Sequence, residues 1–231
     1  MGNILLLLVV LFLAGMAFAG YKKGFIKIIL TMAALIVTIA LSAILTPTIT
    51  GILKDKTPLY DTIYVKMESF VSGQMQNQAV DQTDQQKGAL ESMALPESIK
   101  SALIDNNTGE SYVAMGVDSF AAYTAKSLTL FLLNAISFII LFIIISIIFG
   151  IIMQLANIFT RIPLIKGANK LAGVAAGLLE GLLILWVLAM IVTACGATAW
   201  GQSALKMIND SAFLSFLYNN NLLTKLITSI F

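Results

Sequence analysis

The chain has no histidine and one cysteine, Cys195, in 231 residues. Without histidine the commonest general base and metal ligand is missing. A lone cysteine forms no intrachain disulfide, and no Cys/His pair or zinc site can be assembled. The GxSxG, HExxH and GxxxxGK[ST] patterns are also absent. Charge is scarce too. Charged residues make up 11% of the chain and hydrophobic ones 58%, where soluble domains carry about 25% charge. No charge occurs from Met1 to Tyr21 or from Ser127 to Thr160. Such runs are long enough to cross the roughly 30 Å hydrocarbon layer. The expectation is an integral membrane protein that is not an enzyme, with no catalytic residues, cofactor or metal. A net charge of +2 carries no signal for nucleic acid.

What is present is four apolar runs: Ile4 to Ala19, Phe25 to Leu45 closed by Thr46 and Pro47, Leu128 to Met153, and Leu171 to about Thr198. Each is predicted to be a helix, because an open strand in lipid leaves its backbone unpaired. The fold class is thus an all-α membrane protein with four transmembrane helices, a small helical extracytoplasmic insertion and short C-terminal amphipathic helices. The division is a hairpin over 1–47, an extracytoplasmic segment over 48–126, a second hairpin over 127–200 and an amphipathic tail over 201–231. Two short hinges carry bases and no acid: Lys22, Lys23 and Lys27 in the first, and Arg161, Lys166 and Lys170 in the second. By the positive-inside rule both hinges are cytoplasmic. Both termini and the long segment then face outward. Ala17-Phe18-Ala19 looks like a cleavage site, but no base precedes the run and Lys22 and Lys23 follow it, so the first helix is expected to be retained.

In the long segment, Leu59, Ile63, Met67 and Phe70 or Val71 recur at helical spacing after Pro58. Ser72 to Gly88 is polar and offers little core. Leu95-Pro96-Glu97-Ser98 reads as a helix start, running to about Ile104 and ending in the Asn106–Gly109 turn. From Ser111 a helix is expected to continue unbroken into the third span. In the tail, Phe213, Leu214, Phe216, Leu217 and Tyr218 suggest a face buried in the membrane interface.

The fourth span raises a puzzle, since glycine costs about 1 kcal/mol against alanine in a soluble helix. Yet Gly173, Gly177 and Gly181 stand four apart, with Asn169 before them and Glu180 among them. In lipid, small residues let helices approach closely. At about 100° per residue, Asn169, the glycines and Glu180 share one groove on which another span can lie. Gly15, Gly20 and Gly24 would serve the same end in the first hairpin. Glu180 sits about 15 Å beyond Lys170, near mid-membrane. A carboxylate there must be paired, hydrated or protonated. Lys27 is its nearest candidate base. Asn134 and Ser137 lie in the outer half of span three, and Gln154 and Asn157 at its inner end.

Two stretches together resemble the colicin V production protein family. Gly20-Tyr21-Lys22-Lys23-Gly24-Phe25-Ile26 resembles its glycine–basic–glycine hinge. Ile162-Pro163-Leu164-Ile165-Lys166-Gly167-Ala168-Asn169-Lys170-Leu171-Ala172-Gly173, with Gly177 and Gly181, resembles its second signature: a proline, an Asn or Asp beside a base, then glycines four apart. Asn3 stands where members often carry an acid. The resemblance implies a multi-pass protein of the bacterial cytoplasmic (inner) membrane that supports toxin or bacteriocin production or secretion and envelope maintenance. Its partners would be the lipid bilayer and other membrane proteins or further copies of itself, with no nucleic acid. The alternative is a small oligomeric transporter or channel using the Glu180 groove.

Overall fold

The computed structural model describes residues 3–75, 83–93, 95–155, 168–196 and 198–228. Among these the regular structure is helical, with no strand: α1 (Ile4–Lys23), α2 (Phe25–Lys56), α3 (Leu59–Met75), α4 (Thr83–Ser92), α5 (Glu97–Asp105), α6 (Gly109–Met115), α7 (Phe120–Leu155), α8 (Ala168–Ala194), α9 (Ala199–Asn209), α10 (Ala212–Asn219) and α11 (Leu222–Thr228). Four of them, α1, α2, α7 and α8, are long and apolar enough to cross a membrane. Ile4, Leu8, Leu11, Ile144, Ile147 and Ile151 stand exposed along α1 and α7. Such continuous apolar faces call for hydrocarbon around them. Hydrocarbon in turn demands the helix, which satisfies every backbone group internally.

Three ends differ from the sequence expectation, each for a local reason. The second helix does not close at Thr46 and Pro47 but continues to Lys56. Proline removes one backbone donor. Around it Thr38, Ser42 and Thr46 donate their hydroxyls to the carbonyls of Ala34, Thr38 and Ser42 at 2.7–2.9 Å. The proline costs the helix its bond to the Ala43 carbonyl, and the hydroxyls bond carbonyls on the turns before it, so α2 runs on with that one backbone bond lost. The expected unbroken helix from Ser111 is interrupted. Gly116 is left-handed (φ 63°, ψ 45°) and caps α6, as helix-terminal glycines do, and Ser119 caps a fresh start by accepting from the Ala122 N–H. The fourth span stops at Ala194, because Thr198 accepts from the Gly201 N–H as the N-cap of α9.

The helices between α2 and α7 share a core with the spans. Met67 and Val71 of α3, Leu90 of α4 and Ile99 and Leu103 of α5 join Tyr123, Phe131 and Phe138 of α7 in one apolar cluster. The Tyr123 hydroxyl donates to the Leu103 carbonyl at 3.1 Å. Leu223 and Ile227 of α11 and Trp186 and Met190 of α8 complete the cluster. In α10, Leu214 and Tyr218 are buried against protein, while Phe213 and Phe216 are exposed. The expected interfacial face is therefore split: the Leu214–Tyr218 face serves the core and the Phe213–Phe216 face is exposed. Between α2 and α7, the Thr50 hydroxyl donates to Asn134 Oδ1 at 2.7 Å and lies 2.9 Å from Ser137 Oγ. This buried polar pair-up fixes the register of two otherwise apolar helices.

Candidate functional site

The most extensive helix pairing in the structure is α1 along α8, and its contact runs along glycines. A Cβ built on Gly20 would run into the Gly173 carbonyl and lie 3.2 Å from the Gly177 Cα. One on Gly177 would run into the Met16 carbonyl and lie 3.1 Å from the Gly20 Cα. One on Gly173 would meet Gly20, Gly24 and Phe25 backbone. These obstacles are main chain, which cannot swing aside. At Gly181 the nearest atoms are the side chains of Met16 and Leu13, at 3.0–3.3 Å. Gly15 has nothing within 4 Å and takes no part.

The hinge between α1 and α2 is tied to α8 by a side chain. Gly24 has φ 80° and ψ 163° and ends α1, its N–H donating to the Gly20 carbonyl at 2.8 Å. It also begins α2, where it offers no capping side chain. The first amide groups of a helix need outside acceptors. Asn169 supplies one from across the interface, its Oδ1 accepting from the Ile26 N–H at 3.4 Å. A Cβ at Gly24 would strike the Asn169 amide. Gly24 is thus required twice, for its positive φ and for the room it leaves. Around this buried hinge the bases are exposed: Lys22, Lys23, Lys27 and Lys170. Lys22 Nζ sits 4.7 Å from the centre of the Phe18 ring, and Lys170 Nζ reaches from α8 to 5.1 Å from that of Tyr21 on α1. Contacts of this type contribute about 0.5–1 kcal/mol at exposed positions. Arg161, Pro163 and Lys166 lie outside the described residues, as does Asn157.

Glu180 faces other neighbours. Its side chain is 8% exposed. It lines an open groove of about 270 Å³ with Thr31 and Thr38 of α2 and Ser146, Phe149 and Gly150 of α7. The glycine side of the α8 groove therefore meets α1, while its Glu180 side opens toward α2 and α7. Oε2 is buried and has no hydrogen-bond partner. Lys27 is exposed and makes no ion pair with it; among the described residues the one ion pair is Lys100–Glu97, at 3.2 Å. The sequence reading missed Thr31, Thr38 and Ser146. The signal was there: Thr31 and Thr38 stand seven apart, on one helical face, and Ser146 and Gly150 are the small residues of a long isoleucine run. Among the described residues no three His, Cys, Asp or Glu gather to hold a metal ion.

Asn3 caps α1, its Oδ1 accepting from the Leu6 N–H at 3.1 Å, and its amide donates to the Met207 carbonyl of α9.

Residues 112–221 match the family model described as colicin V production protein. The matched stretch includes α7 and α8 whole, and with them Glu180 and the glycines at 173, 177 and 181. No significant match to the chain is found among curated proteins or among solved structures.

Proposed function

From the match of residues 112–221 to the colicin V production protein family model, we propose that this chain is a non-enzymatic factor of the bacterial cytoplasmic membrane. It acts through helix and protein contacts to support toxin or bacteriocin production or secretion and envelope maintenance. Both hinges face the cytoplasm; the termini and the helices between α2 and α7 face outward. The observation that carries the reading is the hinge end of the α1–α8 seam. There Gly20, Gly24, Asn169, Gly173 and Gly177 lock two helices at backbone distance. The exposed Lys22, Lys23, Lys27 and Lys170 surround them, placed to meet lipid phosphates. A rigid basic platform suits recruitment of neighbours in the membrane better than chemistry on a substrate.

Photo-crosslinkers placed at Lys23 and Lys170 in native membranes test this. Discrete adducts with other membrane proteins or further copies of the chain are expected, together with a secretion or envelope defect on deletion. Absence of both overturns the reading. A second reading, a small oligomeric transporter or channel, is favoured by one observation: the unpartnered Glu180 Oε2 at its open groove. Solute flux through reconstituted protein that vanishes in Glu180→Gln would move the assignment there.

A further inference from the structure

We propose that the open groove at Glu180 is a binding site for a hydrated alkali-metal cation. This goes beyond both readings above, because it concerns binding alone and requires neither flux nor a partner.

The argument rests on what the groove presents. Thr31 Oγ1 donates its proton to the Ile28 carbonyl and Thr38 Oγ1 to the Ala34 carbonyl, each at 2.9 Å. Their protons are committed to their own helix, so they offer the groove only oxygen lone pairs. Ser146 adds a hydroxyl that forms no hydrogen bond with the described residues and can turn its oxygen inward. Glu180 adds a carboxylate that is more than nine-tenths buried, with Oε2 lacking any partner. A buried acceptor left unpaired is destabilising by about 1–3 kcal/mol, and more when charged. Three helices thus line one space with oxygens, Thr31 and Thr38 about 10 Å apart along α2, and among the described residues no positive group lines it. Among the described residues no other titratable group lines the space.

Charge and size then choose among ligands. Calcium takes six to eight oxygens, usually from several carboxylates, and magnesium favours carboxylates combined with phosphate. One carboxylate with neutral hydroxyls balances a single positive charge. An open groove of about 270 Å³ exceeds a bare ion and holds several waters at about 30 Å³ each. Hydroxyl and carboxylate oxygens are hard donors, which suits alkali ions and not soft metals. Gly150 contributes by having no side chain to fill the space.

The test is equilibrium binding of radiolabelled Na⁺ to the full-length chain in detergent, with K⁺ and choline as competitors at equal ionic strength and fixed pH. Expected are saturable Na⁺ binding, displacement by K⁺ but not choline, and loss of affinity by about tenfold or more in Glu180→Gln. Ser146→Ala and Thr31→Val keep the carboxylate and are expected to weaken binding several-fold; they decide the matter if Glu180→Gln fails to fold. No saturable binding in the unmodified chain overturns the proposal. So does unchanged affinity in the folded variants. A chain that is stabilised by acid but indifferent to Na⁺ and K⁺ takes up a proton only, and that too overturns it.

Discussion

Replacing Gly20 by alanine adds one methyl group where α1 meets α8. That methyl would collide with the Gly173 carbonyl, whose carbon lies 2.8 Å away, and crowd the Gly177 Cα at 3.2 Å. All these atoms belong to the main chain of one helix, so relief requires the helices to separate. A gap of about 0.5–1 Å forfeits a quarter to a half of each dispersion contact along the seam. Overpacking of this kind destabilises by about 1–3 kcal/mol. Gly15→Ala is the matched control, one turn and a fraction earlier on the same helix with open space around it. There the added methyl meets nothing, and helix propensity favours alanine by up to about 1 kcal/mol. The two variants are therefore expected to move stability in opposite directions, or one to fall while the other holds. Unfolding by added sodium dodecyl sulfate, followed by tryptophan fluorescence, measures the difference. Trp186 is buried on α8 with its Nε1–H donating to the Leu217 carbonyl at 3.2 Å, so it reports on α8 packing. Equal losses in the two variants, or an unaffected Gly20→Ala, would refute the claim that α1 and α8 meet backbone to backbone.

Asn169→Ala removes the acceptor for the Ile26 N–H and is expected to lower stability by about 1 kcal/mol, while Asn169→Asp retains it; equal losses in the same unfolding assay would deny the capping role. Thr50→Val leaves the buried Asn134 Oδ1 without its donor, for an expected loss of about 1–3 kcal/mol, read by thermal unfolding in detergent. Burial pushes the Tyr218 hydroxyl well above the ordinary tyrosine range, its bond with Thr193 opposing that shift. The neutral form is thus favoured in the folded state. Its contribution is fully present below about pH 10, the unfolded value, and is lost as pH rises above that. Tyr218→Phe should flatten the alkaline limb of the stability curve, and an unchanged limb would assign it to other groups.

The long helices were legible because lipid reduces the problem to length and polarity. A run such as Leu128 to Met153 has few alternatives to a helix. Their ends were less legible. Proline ordinarily closes a helix, and nothing in the residues near Pro47 states outright that α2 runs past it to Lys56. Gly116 was equally visible, but a glycine signals a cap only if the chain turns there, and that depends on where α6 can pack. At the hinges, residue spacing indicates a face and not its occupant. Gly20 and Gly173 lie far apart in sequence, and only the arrangement of the spans sets one against the other. Glu180 stood out through its charge. Thr31, Thr38 and Ser146 did not, since isolated hydroxyls in apolar runs commonly bond back to their own helix, as both threonines do here.

Leu223 and Ile227 of α11 lie in the central cluster, and the Asn221 amide donates to the Trp186 carbonyl of α8 at 2.9 Å. All four long helices are synthesised before this piece emerges from the ribosome. Until it does, the surfaces of α5, α7 and α8 that it covers remain open. The late-made Leu222–Thr228 segment therefore acts as a closing latch on the assembly, and a nascent chain halted short of it would be fully inserted yet unfinished.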